Sequence, residues 1–477
     1  MRRHRVVIVL AGAAVLCAAP AAVSAARAAR VAGWHMAIEV PGLGSLNAGG
    51  DAGLTSLSCG LAGNCAAAGF YSDGSGHRQA FVVNEQDGKW GTAIEVPGSE
   101  SLNAGGLAIV TSVSCASSDN CAAGGFYTDG AGREQAFALS ERNGRWGTAK
   151  QVRGTRKLNK GGRAWLVSVS CAAAADCAAG GFYTDSSGHA QVFVLSEKNG
   201  RWGKARQVAG LGALNKGGDA GLGEVSCAAA DTCAAAGAYR DGSAHLQGFV
   251  VSRTKGTWGR AIEVPGLAAL NAGMDAAVLS VSCASPGNCA AAGTYRDSSA
   301  QPQAFVVSER DGTWRSAIEV PGLATLNVGG NASVISVSCV SVGNCAAGGY
   351  YTDRSGDAQA FAAIERNGRW RKARQVPGSG ALNKGNAELT SVSCASAGNC
   401  VAGGLYTDGM QHFQAFVVSQ TNGIWGTAIE VPGSATLNQG GFATVSSVSC
   451  RSGRDCAAAG TYRDSSGRFE AYVVSHT

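Results

Sequence analysis

The chain has 477 residues, of which 70 are glycine, only 15% are charged and 7% are aromatic. That balance excludes a long-helix protein and a disordered chain, and it points to turn-rich β structure built from small side chains. The formal net charge of +6 drops to +3 once the basic start discussed next is set aside, so bulk charge gives no reason to expect nucleic acid or a membrane surface as partner.

Arg2, Arg3 and Arg5 precede an apolar run from Val6 to Val23, and Val23-Ser24-Ala25 is a small-residue cleavage pattern. Residues 1–25 are therefore predicted to be a secretory signal peptide, and the mature protein to be secreted and extracellular. Pro20 and the alanine-rich end argue against a retained membrane anchor. Leu16 before Cys17 argues against lipid attachment, where a small residue is usual. Residues 26–33 read as a short linker. No later segment is long and apolar enough to span a bilayer.

From Trp34 onward one unit recurs. Copies begin at Trp34, Trp90, Trp146, Trp202, Trp258, Trp314, Trp370 and Trp425, at a spacing of 56 residues six times and then 55. Each copy holds short β-prone runs broken by Gly, Asn, Asp, Ser and Pro, with no long helical periodicity. In the second copy the first strand is predicted over Val110 to Cys115, the second over Cys121 to Tyr127 and the third over Gln135 to Ser140. The fourth begins at the next Trp. Asn-Gly or Asp-Gly pairs such as Asp87-Gly88, Asn143-Gly144 and Asp311-Gly312 precede that Trp. They tolerate the positive φ of a two-residue hairpin turn.

Sixteen cysteines follow Cys17, in eight C-x5-C pairs. The pairs are Cys59 with Cys65, Cys115 with Cys121, Cys171 with Cys177, Cys227 with Cys233, Cys283 with Cys289, Cys339 with Cys345, Cys394 with Cys400 and Cys450 with Cys456. An even count in an exported chain predicts disulfides. The rival, zinc, wants closer ligand spacing and four ligands together. The five residues between each pair are read as the turn joining first and second strands.

The array opens on a fourth-type strand, Trp34 to Val40, and ends on a third-type strand, Ala471 to Ser475. A ring resolves both ends, because the first strand completes the last sheet and no blade face is left open. A solenoid would want capping units, and neither end has one. The expected fold is an all-β, eight-bladed β-propeller spanning 34–477. The hairpin before Trp resembles the Asp-box of sialidase-type propellers and the tryptophan hairpins of eight-bladed quinoprotein dehydrogenases, with shifted spacing in both cases. The S-V-S-C-x5-C-A-A-G-G pattern is similar to repeats of secreted actinobacterial proteins of unassigned function, a likeness that implies no activity.

Several recurring residues are candidates for a site. The longest loop carries Asn47, Asn103, Asn159, Asn215, Asn271, Asn327, Asn383 and Asn438. These are either bonded to their own loop or form a ring of amides for a glycan. Tyr-x-Asp recurs from Asp73 to Asp464; one carboxylate per turn suits an Asx turn better than calcium, which needs six to eight oxygens. Four residues after each Asp the copies diverge: His77, Arg133, His189, His245, Gln301, Asp357, His412 and Arg468. Such variation fits either recognition or an idle turn tip. Five copies read Ile-Glu-Val in the fourth strand. Three read Lys150-Gln151, Arg206-Gln207 and Arg374-Gln375, and these also carry Lys160, Lys216 and Lys384 after the loop Asn. An anionic partner along residues 150–216, extended by Arg153, Arg156, Lys157 and Arg163, is one reading; shared descent of three copies is the other.

No blade has an insertion to house a reaction, and there is no G-x-S-x-G or H-E-x-x-H, so the sequence names no catalytic residue, metal or cofactor. The reading is a monomeric, non-catalytic binding module offering its face loops, with Trp165 among them, to a glycan, a cell-wall polymer or a protein. The alternatives are a structural matrix protein and a glycan-active propeller hydrolase. Asn331-Ala332-Ser333 matches a glycosylation sequon.

Overall fold

The computed structural model describes residues 33–452 and 455–476. The predicted signal peptide, Cys17 and all but the last residue of the predicted linker lie outside the described residues. The described strands form eight separate antiparallel sheets, one for each copy. In the second blade the strands are Ala108–Ser117, Asn120–Thr128 and Glu134–Arg142, followed by Arg145–Trp146 and Lys150–Gln151. The first three are longer than their apolar runs suggest. The fourth is in two pieces, Trp146 pairing with Glu141 and Lys150 with Ala138. Between those pairs three residues oppose two, so one extra residue bulges out around Gly147.

The turn between first and second strands is also tighter than the cysteine spacing suggested, which corrects the five-residue turn expected from each C-x5-C pair. It is two residues, Ser118 and Asp119, and Asp119 takes φ 60°. The cysteines stand inside the strands, because Cys115 and Cys121 face each other directly across the hairpin. All eight expected pairs are bonded, with Cα atoms 3.9 to 4.1 Å apart. Cys59 is joined to Cys65, Cys171 to Cys177, Cys227 to Cys233 and Cys283 to Cys289. Cys339 is joined to Cys345, Cys394 to Cys400 and Cys450 to Cys456. Each bond pins one hairpin and ties no distant parts together.

The core lies between neighbouring sheets. Small residues on one blade meet large ones on the next: Ala66, Ala68 and Ala80 of the first blade pack on Val110, Val113, Phe137 and Leu139 of the second. This is why the second strand reads Cys-Ala-Ala-Gly-Gly. A Cβ on Gly124 would stand 2.7 Å from Leu166 Cδ1 of the next blade, so the glycine lets that leucine close the gap.

The first strands are innermost, and they solve an edge problem that the serines of the repeat explain. An inner strand turns unpaired amides toward the axis, where they need partners. In every blade the preceding blade supplies one through the serine before its cysteine: Cys115 N donates to Ser58 Oγ at 2.9 Å, and Cys171 N to Ser114 Oγ at 3.0 Å. A second ring lies two residues earlier, as in Val113 N to Ser56 Oγ at 3.1 Å. Both rings close between the last and first blades, through Ser447 and Ser449.

The predicted closure by the N-terminal strand is present. Trp34 bridges His476, and Ile38 and Glu39 pair with Val473 and Tyr472 in the last blade. The fold is an eight-bladed β-propeller with four main strands per blade. No described helix is long and apolar enough to cross a membrane.

Candidate functional site

The connections fall on two faces. On one, the long loop meets the turn after the second strand, as in Gly49 N to Ser72 O at 2.8 Å. On the other, the disulfide hairpin meets the tryptophan hairpin, as in Gly88 N to Gly63 O at 2.8 Å.

The asparagine ring is structural. All eight side chains are buried. Asn103 Nδ2 donates to Arg78 O of the previous blade at 3.0 Å, and its Oδ1 accepts from Leu107 N at 2.7 Å. Each asparagine thus stitches its loop to a neighbour. The seventh loop is one residue shorter, and Asn383 Oδ1 turns to the nearby Gly385 N instead. Asp73 likewise spends its carboxylate on its own turn. Oδ1 accepts from Ser75 N and His77 N, and Oδ2 accepts from Gln79 Nε2. Burial opposes its charge, but these hydrogen bonds outweigh it and hold the carboxyl below its ordinary value.

The divergent position after that Asp is less free than the sequence suggests. The His77 ring lies against Gly106 of the next blade, where a Cβ would meet Cδ2 at 2.6 Å; His189 and His412 sit in the same way on Gly218 and Gly441. Arg133 approaches Gly162 more loosely, and His245 Nδ1 lies 3.6 Å from Asp241 Oδ2. These side chains are spread one per blade.

The exchange of Glu for Gln in the fourth strand changes a local partner. Glu95 accepts from Tyr71 Oη at 3.0 Å, whereas Gln151 Nε2 donates to Gln135 Oε1 at 3.0 Å. Lys150 and Arg206 are exposed on outer strands, while Lys160 and Lys216 are exposed on the loops of the asparagine face. The four are therefore not one site. Lys150 belongs to an outer cleft with Arg142, Arg145 and Arg201 of the hairpins, which were not singled out in the sequence.

A second set of locks went unread in the sequence. Ser140 Oγ donates to Glu197 of the next blade at 2.7 Å and accepts from Trp202 Nε1 at 3.1 Å. The same triad recurs as Ser252–Glu309–Trp314. Burial raises the pKa of these glutamates; for Glu141, partnered by Asn84, it reaches about 7. They are interior struts rather than acids open to a substrate.

Chemical variety gathers instead at the axial end of the asparagine face. The residue after the buried Ala that opens each inner strand is Gly53, Ile109, Trp165, Gly221, Ala277, Ser333, Glu388 or Thr444. Its cross-strand partners include Phe70, Phe126, Phe182, Tyr350 and Leu405. Trp165 stacks on Phe126 with centroids 4.1 Å apart and tilts against Phe182 at 5.3 Å. Its Nε1 donates to Glu134 Oε2 at 2.7 Å, and Arg163 lies over its ring while pairing with the same Glu134. On the sixth and seventh blades Tyr350 is hydrogen-bonded to Asn331 and stands close enough to Glu388 for the two negative forms to oppose each other. Burial raises the Glu388 carboxyl. Among the described residues no cluster of three His, Cys, Asp or Glu could hold a metal ion.

No family model matches the chain, and no curated protein does. Among solved structures, a protein of unknown function from Dyadobacter fermentans is 12% identical, with 65% of this chain and 94% of that one covered and a TM-score of 0.38. An ulvan lyase is 8% identical, with 89% and 94% covered and a TM-score of 0.42. An acylaminoacyl peptidase from Pyrococcus horikoshii is 10% identical, with 84% and 55% covered and a TM-score of 0.43. What those proteins act on belongs to them, and the architecture of this chain rests on its own sheets.

Proposed function

We propose that the protein is an exported, non-catalytic binding module that presents the axial end of its asparagine face to a glycan. The observation that carries the reading is where the copies differ. The serine, asparagine and aspartate networks recur from blade to blade, while the positions around the axis hold Trp165, Phe182, Tyr350 and Glu388 in unlike settings. A rigid ring with an aromatic wall on one side and a phenol and a carboxyl on another suits a sugar, which offers an apolar ring face and hydroxyls together.

A glycan-active propeller is the second reading, favoured by Glu388. A carboxyl with a raised pKa beside a phenol is fit for proton transfer. Incubating the protein with bacterial wall polysaccharide tests both readings. Retention on the polymer with no new reducing ends supports the binding module. Reducing ends that appear with wild type and vanish with Glu388→Gln support the second reading. Neither retention nor turnover rejects both.

A further inference from the structure

A cleft of about 580 Å3 opens between the second and third blades at the outer rim. Arg142, Arg145, Lys150, Arg153 and Arg201 line it, and Trp202 forms one wall. No carboxylate lines it. Arg142 lies 3.5 Å from Glu197 beneath, whose carboxyl burial pushes above its ordinary value, and Arg153 donates to the Trp202 carbonyl. Arg145, Lys150 and Arg201 make no ion pair among the described residues. The same hollow recurs between other blades, so its shape belongs to the repeat and its charge to the copy. Between the sixth and seventh blades it holds Arg371, Lys372 and Arg374, and between the first and second only Lys89 and Arg145.

We propose that this cleft binds uronate units of an anionic polysaccharide. Guanidinium forks match a planar carboxylate in paired hydrogen bonds. The half-buried indole of Trp202 gives the sugar ring an apolar wall, which a bare phosphate chain would not use. A cleft on the rim, unlike an enclosed cavity, admits a polymer at any point along its length. The site shares no residue with the axial face and stands whether or not that face binds.

The test uses the full secreted chain and size-defined oligogalacturonate, titrated at several salt concentrations. Wild type should bind, more weakly as salt rises. Lys150→Gln/Arg153→Gln/Arg201→Gln should bind at least roughly tenfold more weakly, with a shallower salt dependence. Lys160→Gln/Lys216→Gln, which removes charge elsewhere, should stay within about twofold. Melting curves confirm folding, and Lys150→Gln alone serves if the triple variant does not fold. The proposal is overturned if the triple variant binds like wild type. It is also overturned if wild type ignores oligogalacturonate, whether or not it takes inorganic polyphosphate.

Discussion

Cys59 N donates to Ser449 Oγ at 2.9 Å, across the joint between the first and last blades. Every other blade makes that bond to its predecessor, so the joint carries the same inner ring contact as the rest of the circle. The chain itself crosses this joint, from Glu39 in the last blade to Gly53 in the first, so the covalent link and the hydrogen-bonded ring coincide there as they do between other blades.

Closure makes Trp34 a core residue, 1% exposed, with its ring edge-on to His476 at 4.9 Å. Trp34→Ala should cost about 3–5 kcal/mol. Denaturant unfolding should show that loss, and an unchanged midpoint would mean that the N-terminal strand does not seal the last blade.

The triads between blades give a paired comparison. Ser140→Ala leaves Trp202 Nε1 without its acceptor and takes the hydroxyl donor from Glu197, and should cost roughly 1–3 kcal/mol. Ser196 holds the same place in the next copy, but the glutamate position there is Arg253 and Trp258 Nε1 has no partner. Ser196→Ala should therefore stay within about 0.5 kcal/mol. Equal costs would remove the role assigned to the triad.

Glu141 fixes a sign for pH dependence. Burial raises its pKa in the folded protein from 4.5 to about 7, so the folded state binds the proton more tightly than the unfolded state. The stability this lends is complete below the unfolded value and is lost as pH rises through about 7. Glu141→Gln keeps an acceptor for Asn84 without the charge. Its melting temperature should match wild type at acid pH and exceed it above pH 7. A gain at acid pH instead would reverse the account.

The disulfides are local. Removing one pair with Cys115→Ser/Cys121→Ser should cost about 2 kcal/mol, the small-loop end of the range. Peptide mapping of the variant should find the other seven pairs unchanged; any reshuffled partner would show that the hairpins do not set the pairing.

Much of the architecture was legible because it is local. The Trp period, the Asn143-Gly144 type of turn and the C-x5-C pairs each act within one hairpin, and the unmatched strand types at Trp34 and Ala471 implied the ring. What stayed hidden depends on a neighbour about 56 residues away in sequence. Ser58 reads as a polar residue in a strand until Cys115 N is seen beside it. His77 looked like an idle tip, yet it rests on Gly106 of the next blade. Arg142 and Arg201 lie in separate hairpins that single them out for nothing, and only adjacency of blades two and three puts them in one cleft.

The reading proposed for the axial face, that the copied residues hold the ring and the uncopied ones meet a ligand, is tested most directly by a three-way comparison on a glycan array. Wild type, Trp165→Ala and Leu61→Ala would be printed against the same sugars, Leu61 being half-exposed on the disulfide hairpin of the opposite face. The account predicts that Leu61→Ala keeps the wild-type pattern and that Trp165→Ala, still folded, loses it for neutral sugars, uronates being read separately because the rim cleft does not involve Trp165. Loss with Leu61→Ala, or full retention of neutral sugars with Trp165→Ala, would contradict it.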